Sequence, residues 1–262
     1  MLQIVKLEDF DIKKFWDYVL SDIPLYFFFI LDLKHYPEQS KFLVAIENDE
    51  IVGLCLIWKN QIAHVRGQND EIVEALFHAI PKDVQFDQVN FEIRYQKLLS
   101  SLIPKPKTEL FLHRMVLRKD KMIPRFLLDK PFTQRKLTEK DASKIAKLMA
   151  KAYPTYWSKI TSKHLTFDEN QNYTGLFDGN KLISFALSWI DETAAIIANA
   201  ATHPKYQNLG LATYLVNESV HKMMKHTEIA IIHVLTDNEP AIKVYSKVGY
   251  EIYASFVMVG LE

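Results

Sequence analysis

The sequence predicts an α/β chain of two related lobes, and three observations carry that expectation. Stretches with strand-like and helix-like hydrophobic patterns alternate along 262 residues, a length that makes one large or two ordinary domains. The order of those stretches recurs in the second half, where Trp189 stands 131 positions after Trp58 and aligns with it without a gap. Near the C-terminus, a polar turn from Thr202 to Thr213 joins a short apolar strand to a helix.

Taken in order, Ile4 to Leu7 reads as a strand, and Asp11 to Leu20 places Ile12, Phe15, Trp16 and Val19 on one helical stripe. The second half opens in the same manner, with Arg135 to Ala142 leading into Ile145, Leu148, Met149 and Ala152. Phe42–Ile46 and Ile51–Trp58 flank Glu47-Asn48-Asp49-Glu50, a hairpin signal. Tyr173–Phe177 and Leu182–Trp189 flank Asp178-Gly179-Asn180-Lys181 in the same way. A period of this length is too long for a solenoid and reads as a duplicated α/β unit. The first copy continues with a strand at Ile62–Val65 and a helix at Glu71–Ile80. The turn between them carries Asp70, which caps a helix start and repels phosphate. Leu110–Leu117 and Glu251–Val259 read as the last strands of the first and second lobes. The expected domains are 1–118 and 132–262, with a proline-punctuated linker over 119–131.

Composition narrows the class. With 48% hydrophobic and 24% charged residues the chain has a soluble, globular balance, and 32 basic residues against 32 acidic ones leave no field for nucleic acid or an anionic membrane. The apolar run Ile23–Leu31 is about half the length a helix needs to span a bilayer and reads as core. The first residues do not resemble a secretory signal. One cysteine, Cys55, fits a reducing, cytoplasmic setting and sits in an apolar run as core. His221 and His226 lie on different helical faces, no Cys/His cluster exists, and no metal is expected. Homodimerisation stays open.

The polar turn is the richest signal. Ala194–Ala201 reads as a strand buried on both faces, Leu211, Leu215 and Val216 fall at helical spacing, and Gly210 stands where the helix begins. Unpartnered N–H groups at such a start suit an anion. Gln207, Gly210 and Ala212 resemble the Arg/Gln-x-x-Gly-x-Gly/Ala turn of the Gcn5-related N-acetyltransferase (GNAT) superfamily. Asn238, Ala241, Tyr245, Gly249 and Tyr250 resemble that superfamily's Asn-x-x-Ala-x-x-x-Tyr-x-x-x-Gly-Phe/Tyr, which here follows the apolar strand Ile229–Leu235. The resemblance covers the second lobe in full and the first as a worn copy that lacks both motifs, a tandem arrangement with a degenerate N-terminal lobe.

The resemblance implies that each lobe is a mixed, mostly antiparallel sheet flanked by helices. In the second lobe, strands 196–201 and 229–235 would splay to admit the pantetheine arm of acetyl-CoA. Ala200, Ala201 and Thr202 would bind pantetheine amides. Asn208, Leu209, Gly210, Leu211, Ala212 and Thr213, with Gln207, would hold the pyrophosphate, and Asn238 opens the second motif of the site. The reaction implied is acetyl transfer to a primary amine of a small molecule or peptide. An alkylamine must shed a proton, the oxyanion needs a donor and the leaving thiolate an acid. A backbone N–H near Ala200 suits the oxyanion, and Tyr245 matches the tyrosine that protonates the sulfur, although its stripe with Ala241, Val244 and Val248 also suits plain core. For the base, Asn199 cannot take a proton; His233 is favoured, with Asp191 or Glu192 through water as another route, and a histidine satisfied within the sheet as the structural reading. Tyr153, Tyr156 and Trp157 suit either a cation–π amine cradle or packing. A CoA-binding sensor or scaffold without turnover is the alternative function.

Overall fold

The computed structural model describes residues 1–82, 84, 86–128 and 131–261. Its elements in chain order begin with β1 (Gln3–Lys6), α1 (Ile12–Ser21), α2 (Ile23–His35), β2 (Ser40–Glu47), β3 (Glu50–Trp58) and β4 (Ile62–Gly67). Then follow α3 (Asp70–His78), β5 (Gln88–Glu92), α4 (Gln96–Leu102), β6 (Thr108–Arg118), β7 (Thr133–Lys136), α5 (Ala142–Ala152) and α6 (Pro154–Trp157). The chain continues through β8 (Gln171–Asp178), β9 (Lys181–Ile190), β10 (Ala195–Thr202), α7 (Leu211–Met223), β11 (Ile229–Leu235), α8 (Glu239–Val248) and β12 (Glu251–Gly260). The fold is mixed α/β, with mostly antiparallel strands and flanking helices, as the motifs implied.

Two compact units result. The first comprises Met1–Arg114, Leu235–Asp237 and Tyr253–Glu262, and the second Met115–Val234 and Asn238–Ile252. Of the expected linker, residues 129 and 130 lie outside the described residues, as does residue 262 of the expected second domain. Much of the remaining linker packs on the second unit: Met122 and Phe126 join its core, and the Phe126 N–H donates to Asn217 Oδ1 on α7 at 2.9 Å.

In the first unit β1, β2, β3 and β4 pair antiparallel in sequence, and β5 then pairs parallel with β4. In the second unit β7, β8, β9 and β10 do the same, and β11 pairs parallel with β10. The repeat extends to an irregularity. The β2/β3 ladder shifts register between Ala45 and Ile46, and the β8/β9 ladder shifts between Leu176 and Phe177, again 131 positions on. Such bulges add a residue to one strand and bend it.

The last strand departs from the sequence expectation. Glu251–Gly260 is a strand, but its residues from Phe256 on pair antiparallel with β5, Phe256 opposite Glu92 and Gly260 opposite Gln88. Val257 and Val259 are buried in the first unit's core with Val89 and Phe91. The converse holds for β6, whose Met115 and Leu117 lie in the second unit's core with Val216 and Tyr245. A local pattern marks a strand but cannot name its partner, because pairing is set by contacts distant in sequence.

The helix after β4 also differs in detail. Asn69, not Asp70, caps α3 by accepting the Ile72 N–H at 3.0 Å, while Asp70 and Glu71 fill its first turn. The parallel ladder of β4 and β5 covers three rungs and ends at His64 and Asn90. There the buried Arg66 lies across the opening. Its Nη1 donates to the Val65 carbonyl at 2.8 Å and the Asn90 carbonyl at 3.0 Å, and its Nη2 to Asn90 Oδ1 at 2.6 Å. The Phe256 ring lies 4.4 Å from its guanidinium carbon. Carbonyls that a continuing ladder would have paired are thus satisfied by one side chain.

Phe256→Ala should cost about 3–5 kcal/mol. Hydrogen exchange should then rise in β4 and β5 and stay low in β8 and β9. The opposite distribution would place the closing strand in the second unit.

Candidate functional site

The site begins where a ladder stops. β10 and β11 share three parallel rungs, Ala195 with Ala230, Ile196 with Ile231 and Ile197 with Ile232. On its other edge β10 shifts register against β9 between Ile197 and Asn199. Ala198, in mid-strand, is exposed, and Asn199 and Ala200 are half-buried. Among the described residues no rung joins Ala198–Thr202 to β11. Backbone groups on that edge therefore lack a strand partner and are open to a ligand's amides.

Beyond Thr202 the chain turns into α7. Gly210 stands at the N-cap with φ 78° and Asn208 has φ 61°, both in the left-handed region. A Cβ placed on Gly210 would meet nothing within 4 Å, so the backbone turn and not crowding demands glycine. No side chain caps α7, and its first N–H groups point outward with the positive end of the helix dipole. Gln207 Nε2 reaches back to the Thr202 carbonyl at 3.4 Å and ties the turn to the strand end.

A groove of about 680 Å³ follows this path within the second unit. The turn contributes Gln207, Asn208, Gly210, Leu211, Ala212 and Thr213, the open strand Ala200, Ala201 and Thr202, and α8 contributes Asn238 and Tyr245. Of the expected binding residues, Leu209 is not in the lining; its side chain is exposed. Asn238 also caps α8, its Oδ1 accepting the Ala241 N–H at 3.3 Å. Tyr245 is buried, packs edge-on to Tyr250 at 6.3 Å, and lines the groove beside Ala200. Burial raises its pKa, and the nearby Tyr153 adds to the shift. The hydroxyl is therefore held protonated at neutral pH, as a donor.

The motif reading missed Glu239, Lys243 and Lys247, which line the groove along one stripe of α8. Glu239 and Lys243 form an exposed pair at 3.5 Å, worth little by itself. Their four-residue spacing is visible in the sequence, but they occupy the motif's variable positions.

His233 does not line the groove. Ala230, Ile232 and Val234 of β11 pack with Tyr245, so alternation along the strand puts His233 on the other face of the sheet. Ala201 and Tyr153 belong to that other face, in a cluster with Ile145 and Phe185. Ala201 and Tyr153 line the groove as well as Ala200 and Tyr245, so the groove reaches both faces through the gap between β10 and β11. Tyr156 and Trp157 are exposed outside it, as is Glu192, and Asp191 holds the β9–β10 turn by accepting the Thr193 N–H at 2.8 Å. His203 is buried behind the turn and accepts the Lys205 N–H at 3.2 Å. Burial pushes the Cys55 thiol up to about 12, which leaves it an inert core residue. Among the described residues no group of side chains could hold a metal ion, and no helix is long and apolar enough to cross a membrane.

This geometry agrees with what the chain resembles. Residues 142–250 match the acetyltransferase (GNAT) family model. The likeness of fold extends to the whole chain. A tandem GNAT protein from the clavulanic acid biosynthesis pathway aligns over 100% of this chain and 98% of its own, with a TM-score of 0.61 at 13% identity. A Drosophila protein aligns over 99% and 98% with a TM-score of 0.73 at 10% identity. A GNAT-family acetyltransferase from Colwellia psychrerythraea aligns over 99% and 100% with a TM-score of 0.55 at 10% identity. No curated protein matches the chain by sequence.

Gly210→Ala should lower stability by about 1–2 kcal/mol through backbone strain alone. Gly210→Asn, which tolerates the left-handed region, should cost less. Thermal unfolding of the three proteins gives the ranking, and equal midpoints would contradict the assigned turn.

Proposed function

We propose that the chain is an N-acetyltransferase that uses acetyl-CoA to acetylate a primary amine of a small molecule or peptide. The observation that carries this reading is the groove that joins an uncapped helix start, an unpaired stretch of strand and a buried tyrosine hydroxyl. Each part suits one section of the ligand. The N–H groups of Asn208 to Thr213 meet the pyrophosphate, with Gly210 allowing close approach and Lys243 and Lys247 adding positive charge. The free edge of Ala198–Thr202 takes the amides of the pantetheine arm, and the thioester then comes to rest at the gap beside Ala200 and Tyr245.

Bound there, acetyl-CoA supplies an activated acyl group. On the opposite face His233 takes a proton from the incoming ammonium, so that the free amine nitrogen can bond to the carbonyl carbon. A backbone N–H near Ala200 donates to the carbonyl oxygen as charge gathers on it. The carbon–sulfur bond breaks, Tyr245 gives its hydroxyl proton to the departing sulfur, and the second proton that the nitrogen sheds as the amide forms returns through solvent to the tyrosine oxygen. In this reading base and acid act from opposite faces of the sheet.

In the first unit the corresponding opening is crossed by Arg66, and α3 begins with Asn69, Asp70 and Glu71. We therefore expect one CoA per chain. The even charge balance and single buried cysteine support a cytoplasmic protein whose partners are amines and not nucleic acids.

Calorimetry should give one equivalent of acetyl-CoA, abolished in Gly210→Glu by added bulk and negative charge. In a screen of amine acceptors, Tyr245→Phe should lower kcat by about 10²–10⁴-fold with cofactor affinity nearly intact. His233→Gln should remove the acidic limb of the pH–rate profile. Binding without turnover in wild type, unchanged by both substitutions, would favour a CoA-binding sensor instead.

A further inference from the structure

The opening between β10 and β11 has a far mouth, and one side chain stands in it. Tyr153 is half-buried, lines the groove, and packs in the cluster that holds Ala201. Ala200, one residue earlier, packs in the cluster of Tyr245. Successive strand residues face opposite ways, so the two tyrosines approach the unpaired strand from opposite sides. Both line the one groove, so the missing rungs leave a path between them.

The backbone holds Tyr153 in place. It ends α5 by donating its N–H to the Met149 carbonyl at 2.9 Å, and its own carbonyl accepts the Tyr156 N–H at 3.2 Å and the Trp157 N–H at 2.9 Å as α6 begins. Its backbone is thus held between two helices, and its ring packs against the cluster of Ile145 and Phe185. Its side chain therefore forms a fixed wall opposite the turn.

Resting on the reading of the groove as a CoA site, we propose that Tyr153 ends the acyl slot and restricts the transferable group to acetyl or one of similar length. A thioester beside Tyr245 would have its acyl chain directed through the gap towards the Tyr153 ring. A longer chain would meet that ring within a few carbons and would have to displace it. The role is steric and needs the ring, not the hydroxyl.

Affinities of CoA, acetyl-CoA and hexanoyl-CoA for the full chain test this without knowledge of the acceptor amine. Wild type should bind acetyl-CoA better than hexanoyl-CoA. Tyr153→Ala should shift that preference towards hexanoyl-CoA by about tenfold or more, the size of effect that a few methylenes have in an apolar pocket. Tyr153→Phe should keep the wild-type preference. Tyr153→Trp should weaken acetyl-CoA while leaving CoA unchanged, a readout that holds even if the alanine variant fails to fold. Equal affinity of wild type for the two thioesters, or an unaltered preference in both the alanine and tryptophan variants, would overturn the proposal. Failure of wild type to bind CoA at all would overturn the underlying reading, and this proposal with it.

Discussion

The second unit depends on a ladder that stops after three rungs. Parallel strands far apart in sequence are joined by hydrogen bonds, and a break in the interior of a sheet leaves polar groups that something must satisfy. At β10 the break coincides with the register shift after Ile197, which leaves Ala198 exposed in mid-strand. The small side chains from Ala198 to Ala201 keep the gap from being filled by the strand itself. From that gap come the free strand edge, the access from one face to the other, and a groove that both Tyr153 and Tyr245 line.

The first unit shows the same break resolved internally. Its parallel ladder also runs for three rungs, and Arg66 then bonds to carbonyls of both strands. Burying a guanidinium among carbonyls lowers its pKa, to about 10 here, with desolvation the main cause. Five donors in a fixed fork are nevertheless well suited to several carbonyls at once. The duplicated architecture thus has two solutions to one backbone problem, an open edge in one copy and a side-chain stitch in the other.

Much of this was legible in the sequence. The hairpins, the helix stripes and the repeat follow from local hydrophobic period and turn chemistry, and β11 has the bounds that its apolar run indicates. The two motifs located the turn at Gly210 and the tyrosine at 245 because both depend on short-range spacing. What stayed hidden depends on long-range pairing. Nothing in Glu251–Val259 says that its partner is β5, and nothing near Arg66 says that it will be buried against Asn90. The face occupied by His233 follows from the register of β11 against β10, which the sequence does not state. Lys243 and Lys247 were visible as a helical stripe, but a stripe of charges reads equally well as a solvated face.

The central claim is that the groove is a CoA site, and thermal unfolding of the intact chain with saturating acetyl-CoA, CoA or NAD tests it most directly. Ligand at about a hundredfold over its dissociation constant adds about 2.7 kcal/mol, or roughly 5–10 °C in midpoint for a chain of this size. A rise of that order with acetyl-CoA and CoA, and none with NAD, is the predicted result. No rise with either CoA species, or an equal rise with NAD, would contradict the account.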